Sequence, residues 1–321
     1  CAESEKGEEK MEKGLKVKFW QLLLPPSLLS LLTYVFYYPS LKYPFQFDDL
    51  ANITKKFDIR SFNIRDELFR TPRWLGETLN KINFKFGQFD PWYYRSVNLL
   101  IHMLSGLLLY FLVYIICSRQ KTNKLLSKYA LWISSITSMF FLLHPVQTQA
   151  VSYVIQARLE GLATLFVLLT ILPLAMAFNK EWRKYKITLT LLGFAAAFIS
   201  CGTKEIVIVA PVLLALIDWF FIAEFNFEKF KSRWFYYFVL TGIIFSTLLY
   251  YLKPKFLLDV IGLKMATVNN RGNILTSTPI ESIKPLHFLI SEFKVILHNL
   301  QLFLFPVGMS VEYDWKLSES F

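Results

Sequence analysis

Cysteine is nearly absent. Three cysteines occur in 321 residues, and neither a CxxC nor an HExxH pattern is present. A disulfide-stapled secreted fold is therefore excluded, and a structural metal site has no ligand spacing to support it. Charge is also scarce, at 18% of residues, where a soluble domain carries about 25%. Hydrophobic residues make up 54% and aromatics 17%, with a mean hydropathy of +0.39. That excess of bulky apolar surface rules out disorder and a coiled coil, and it predicts an all-α polytopic membrane protein.

The net charge of +11 does not read as nucleic-acid binding, because the basic residues gather in short connections between apolar runs. Apolar runs at about 19–38, 92–117, 129–143, 161–178, 187–201, 206–222, 235–252 and 286–305 are candidate spans, since crossing the bilayer takes roughly 20 apolar helical residues. The connections near 118–128, 179–186 and 223–234 carry clusters that include Arg119, Lys121, Lys124, Arg183, Lys184, Lys229 and Arg233. The alternate connection 144–150 carries no Lys or Arg, and 202–205 carries only Lys204. Lys and Arg resist translocation, so this asymmetry predicts a cytoplasmic N-terminus. Cys117 and Cys201 then lie at opposite ends of the membrane and cannot pair.

Residues 1–18 read as a solvated charged tail and 19–321 as one membrane domain. Two long outer loops, 39–91 and 253–285, are expected to carry function, as long loops in compact bundles usually do. Cys1 stands where a complete chain has Met, which reads as a fragment more readily than as a lipid-bearing cysteine. The abrupt stop after Phe321 likewise predicts a missing C-terminal part. Whether 286–305 crosses the membrane or returns to the same face stays open.

An ionisable residue at membrane depth costs roughly 2.5–3.5 kcal/mol on insertion scales, so each one should face a cavity or a partner. Asp48 and Asp49 directly follow the first span, flanked by aromatics. Burial and a neighbouring acid raise a carboxylate's pKa toward general-base use; a helix N-cap explains the pair equally well. Arg95, Asn98, His102 and Ser105 share one helical face and form a polar seam, with structural hydrogen bonding between helices as the alternative, favoured for His102 and Ser105. Residues 144–160, running from His144 and Pro145 through Gln149 and Gln156 to Arg158 and Glu160, are too polar for lipid and read as an outer-face helix. Pro145 suits a first helical position. Arg158 and Glu160 cannot meet at i, i+2, so each needs another partner, and Arg158 is a candidate phosphate ligand. Lys204, beside Glu205, either binds an anion or snorkels to the headgroups. Glu292 and Lys294 interrupt the last run. Acids with cations at 73, 95, 158 and 204 suit transfer from a phosphate-linked donor, the base deprotonating the acceptor and the cations stabilising the departing phosphate. A transporter could present the same set.

In order along 44–321, these motifs resemble the membrane half of the tetratricopeptide-repeat-containing transmembrane O-mannosyltransferases and their bacterial relatives, of GT-C glycosyltransferase architecture. The resemblance rests on Phe47-Asp48-Asp49, Arg73 within Thr71-Pro72-Arg73-Trp74, Asp90-Pro91, Asn98 to His102, His144 to Val151, Lys204-Glu205 and Leu304 to Asp314. It implies a GT-C-like bundle of about seven or eight transmembrane helices with a long first outer loop. The implied reaction is inverting transfer of a sugar, mannose in this family, from a polyprenyl phosphate to a protein Ser or Thr hydroxyl. Asp48 or Asp49 would be the base, and Arg73, Arg158 and Lys204 would contact the donor phosphate, with His144 nearby. Arg95, Asn98, His102, Gln149, Glu160, Glu205 and Lys294 complete the candidate binding set. The implied partners are the lipid-linked donor, an acceptor protein and membrane lipid, in a bacterial inner membrane or the endoplasmic reticulum; no nucleic acid is expected. No metal ligand is assigned, and a divalent metal is left without support. The sequence departs from the family at Gln156 to Glu160, where animal members carry Gly-Arg-Ala-Asp, at the shifted context of Arg73, and in having no repeat array. The alternatives are a transporter or lipid-carrier flippase, for which no internal repeat is visible, and a non-catalytic membrane scaffold.

Overall fold

The computed structural model describes residues 19–61, 71–261, 285–310, 313 and 315. The N-terminal tail, most of the second predicted outer loop and Asp314 lie outside the described residues. Every described element is helical, with no strand among them. The main helices are α1 (Phe19–Tyr37), α2 (Trp74–Gly87), α3 (Pro91–Ser118), α4 (Ala130–Leu143), α5 (Leu162–Ala177), α6 (Lys186–Ser200), α7 (Ala210–Ile217), α8 (Trp234–Ile261) and α9 (Pro285–Leu304).

All eight predicted apolar runs are helical. Among the described residues, four stretches are long and apolar enough to cross a membrane: Phe19–Lys42, Pro91–Ser118, Val154–Ala177 and Glu205–Ile222. A fifth is added if Ala130–Leu143 and Pro145–Ser152, bent by 49°, form one broken span. Large apolar side chains such as Leu31, Leu191, Val212, Phe238 and Leu297 point outward. A continuous apolar exterior of this kind suits contact with lipid, in keeping with an integral membrane protein.

Sequence punctuation sets the helix starts. Pro91 opens α3, and the Asp90 side chain accepts the Trp92 N–H at 2.9 Å, satisfying one of the donors a helix start leaves orphaned. Pro145 sits at the first position of its turn, as expected, with the His144 Nδ1 accepting the Val146 N–H. Small residues then let the helices close on one another. A Cβ at Gly106 would lie 2.5 Å from the Leu142 side chain, and one at Gly193 would lie 2.6 Å from Leu174. The core between them includes Ile171, Leu174, Ala197, Leu214, Leu240 and Ile244. Cys117 and Cys201 are both free and buried.

Three boundaries differ from the sequence reading. α8 continues to Ile261, nine residues into the loop predicted to start at 253. The predicted first outer loop is largely helical among its described residues, with short turns at Leu50–Thr54 and Phe57–Arg60 before α2. The segment 144–160 is not one outer-face helix. It breaks at Tyr153, and the part from Val154 onward runs through a π turn, Ala157–Gly161, straight into α5. The apolar residues after Val154 outweigh the few polar ones, so the turn becomes the start of a candidate span, Val154–Ala177.

Candidate functional site

The two breaks around His144 and Tyr153 leave backbone carbonyls without helical partners, and in an apolar setting these need donors. The polar seam on α3 provides them. His102 Nε2 bonds the Leu142 carbonyl at 3.0 Å, Asn98 Nδ2 donates to the Val151 carbonyl at 3.3 Å, and Arg95 Nε donates to the Ser152 carbonyl at 2.8 Å. Arg95 also donates to the Tyr43 carbonyl and, at 2.8 Å, to that of Pro44. Ser105 bonds back to the Ile101 carbonyl. All four are buried. The structure thus gives Arg95, Asn98 and His102 a different task from donor binding: they fasten the broken segment and the first outer loop to α3. A buried guanidinium engaged by three carbonyls is not presented to a phosphate.

The acid pair divides. Phe47 adopts φ 46° and its ring meets Tyr153 edge-on at 6.3 Å. This turn sends the two neighbouring side chains to different environments. Asp48 is exposed, and its backbone N–H donates to the Tyr153 hydroxyl at 3.1 Å. Asp49 is wholly buried and accepts the N–H groups of Ile155 (2.9 Å) and Val154 (3.4 Å). It thereby caps, from 105 residues away, a helix start whose own N-cap residue, Tyr153, supplies no side-chain bond. Burial pushes the Asp49 carboxyl above its ordinary range, partly offset by those N–H groups and by the Arg95 charge.

Arg158, 1% exposed, lies in the π turn one helical turn further on, within electrostatic reach of Asp49. Its Nη2 donates to the Tyr94 carbonyl at 3.0 Å, while its Nε and Nη1 have no hydrogen-bond partner. Glu160, from the same turn, faces the other way and accepts from Lys204 Nζ at 2.7 Å. Arg158 and Glu160 thus take separate partners, as the i, i+2 spacing requires. Arg73 pairs with Glu205 at 3.3 Å, both side chains about half exposed.

α2 holds these parts together. The Leu75 N–H donates to the Gly202 carbonyl at 2.9 Å, and the Trp74 indole lies so close that a Cβ at Gly202 would sit 2.3 Å from its Nε1. A Cβ at Gly76 would come within 3.1 Å of the Arg158 carbonyl. The two glycines let the first turn of α2 sit on both the π turn and the 202–205 turn. Asp49, Arg158, Glu160, Lys204, Glu205 and Arg73 consequently form a continuous series at one end of the bundle, with Asp48 at its open edge.

Other predicted residues lie apart from this series. His144 Nε2 bonds the Phe303 carbonyl at 3.0 Å and its ring stacks on Phe303 at 5.4 Å, clasping the end of α9. Gln149 is exposed on the short helix Thr148–Ser152. Lys294 is exposed on α9, and no described hydrogen bond or ion pair joins it to the cluster. Tyr153, Trp74 and Tyr94 were not foreseen, because their roles depend on tertiary neighbours. Among the described residues, no three His, Cys, Asp or Glu side chains gather as a metal-ligand set. No family model, no curated protein and no solved structure matches the chain.

Proposed function

We propose that the chain is a membrane glycosyltransferase that moves a sugar, mannose by the motif resemblance, from a polyprenyl phosphate to a hydroxyl acceptor on the outer face. In this reading seven or eight apolar helices cross the bilayer in a GT-C-like arrangement, with the N-terminus in the cytoplasm. One observation carries it: the acid pair is split into an exposed Asp48 and a buried, backbone-bonded Asp49 at the edge of a series of alternating cations and acids.

An exposed carboxylate held by a capped turn can take a proton from an acceptor hydroxyl. The acceptor oxygen attacks the sugar's anomeric carbon on the face opposite the phosphate, its proton passes to Asp48, and the carbon–oxygen bond to phosphate breaks with both electrons leaving on the phosphate oxygen. The configuration inverts. Arg73 and Lys204, both accessible beside their acidic partners, stabilise the departing polyprenyl phosphate. Asp49 and Arg158 are positioning residues that fix the turn carrying Asp48.

The test is incubation of the membrane-embedded protein with radiolabelled polyprenyl-phosphate mannose and candidate acceptor proteins. Transfer that disappears in Asp48→Asn at unchanged expression supports the reading. Equal transfer by Asp48→Asn, or none by the intact protein, overturns it in favour of a transporter or scaffold.

A further inference from the structure

The opposite end of the bundle carries a surface that the acid series does not use. Arg95 lies near one end of α3 and Arg119 caps the other, roughly 36 Å away along the helix axis. That is enough to cross a hydrocarbon core of about 30 Å. Around Arg119 three connections are tied into one face. Gln120 Nε2 donates to the Phe221 carbonyl at 2.6 Å, the Lys121 N–H donates to Glu224 at 2.8 Å, and Arg119 pairs with Glu181. The Tyr236 ring, at the start of α8, meets Phe178 edge-on at 4.9 Å and lies under Lys186 Nζ at 5.7 Å.

The segments joined in this way, 119–129, 178–186 and 223–234, hold eleven Lys and Arg against three Glu. Two of the acids are engaged: Glu181 by Arg119, and Glu224 by the Lys121 and Thr122 N–H groups and the Thr122 hydroxyl. Arg233 turns inward to Asp218. The other nine cations, from Lys121 to Lys231, are exposed, and none has an ion-pair partner among the described residues. Residues 1–18, outside the described set, contain five Lys and five Glu, so they leave the net charge of this end unchanged wherever they lie.

What borders these cations indicates the partner. Each basic segment runs into an apolar helix whose first turn exposes a large side chain: Trp132 in α4, Ile187 in α6 and Trp234 in α8. Lys128 stands over the exposed Tyr129 ring at 5.2 Å, and Lys184 over the exposed Tyr185 ring at 5.7 Å. An acidic protein segment would need the cations alone. Cations that adjoin exposed rings and apolar helix starts fit a bilayer, with phosphates meeting the cations while the rings enter the interface.

We propose that this face binds the phosphates of anionic lipid headgroups in the leaflet it adjoins, which is the cytoplasmic one in the topology proposed above. The charge is spread over many lysines rather than held in a pocket, so the binding selects lipids by charge and is screened by salt. It requires that the bundle lie in a bilayer and does not depend on sugar transfer.

Native mass spectrometry of the detergent-purified protein tests this, with phosphatidylglycerol and phosphatidylcholine as separate probes. The expected result at low salt is retention of phosphatidylglycerol at least about five-fold above phosphatidylcholine, with the preference lost in Lys124→Gln/Lys128→Gln/Lys180→Gln/Lys184→Gln. All four lysines are exposed, so their replacement leaves the packing intact. A control, Lys42→Gln/Lys55→Gln/Lys85→Gln, removes exposed cations from the end that carries the acid series and is expected to keep the preference. Equal retention of the two lipids by the intact protein overturns the proposal and leaves an acidic protein segment as the partner this charge fits. A preference that survives in the four-lysine variant, or that disappears in the control, overturns it as well.

Discussion

Two buried aspartates occupy π turns or their immediate neighbourhood at different places in the bundle, and they are treated differently. Asp218 begins the π turn Asp218–Ile222 and is fully buried. Its carboxylate is bonded by the Arg233 guanidinium and by the Tyr237 hydroxyl, while Arg233 also lies over the Phe178 ring at 5.2 Å. Each charge there meets a side chain of opposite or complementary character. Asp49 is equally buried, but among the described residues its carboxylate is hydrogen-bonded only by backbone N–H groups; beside it Asp48 is exposed, and Arg158 keeps two buried nitrogens without partners. A closed charge cluster stabilises one packing arrangement. An open one retains capacity for an added group, and that difference separates a structural site from a candidate for chemistry.

The sharpest way to break this comparison is to neutralise one acid in each cluster. Asp48→Asn is expected to lower sugar transfer by about 10²–10⁴-fold, the usual contribution of a general base, with unchanged thermal stability in detergent. Asp218→Asn is expected to do the reverse. It leaves the partly buried Arg233 without its counter-charge, a loss below the roughly 3–5 kcal/mol of a fully buried pair but visible as a lowered melting temperature, while transfer per folded molecule is retained. If Asp218→Asn abolished transfer in the folded protein, the division into structural and chemical clusters would be wrong.

A smaller effect is expected from the contact that ties α2 to the site. Gly202→Ala drives a methyl into the Trp74 indole, and overpacking of this kind costs about 1–3 kcal/mol. Because α2 also covers the π turn through Gly76, transfer should fall together with stability. Trp74→Phe/Gly202→Ala should recover part of both, as measured by transfer assay and thermal shift on the same preparation.

The positions of the helices could be read from the sequence because lipid-exposed and core residues are both apolar, so each run announces itself by length alone. The Asp90–Pro91 and His144–Pro145 starts were legible for a local reason: cap and proline act within three residues. The division between Asp48 and Asp49 was not, since Asp49 caps a helix 105 residues away. The α3 seam was recognisable as one face, but its partners exist only because the chain breaks at His144 and Tyr153, and a hydropathy run does not show a break. Asp218 is a different case. It is an ionisable residue inside an apolar run, open to the same filter that selected the outer-face residues. Its partners, Arg233 and Tyr237, come from the next segment of chain, so the run alone does not show how the charge is met.

The finest test of the comparison is the pH dependence of stability. Burial raises the Asp49 carboxyl above its unfolded value of about 3.9, so over the interval between the two values the native state binds more protons than the unfolded one. By linkage, this residue's contribution is fully present below pH about 3.9 and is lost as pH rises through the raised native value. Asp49→Asn keeps an amide oxygen that can cap Ile155 but has no proton to release, so its stability should fall less over that window. Thermal unfolding of the two proteins in one detergent, compared from acid toward neutral pH, measures the difference. Parallel curves would mean that the N–H groups of Val154 and Ile155, with Arg95, fully offset the burial of the charge, and the exposure of Asp48 would then carry the contrast with the Asp218 cluster.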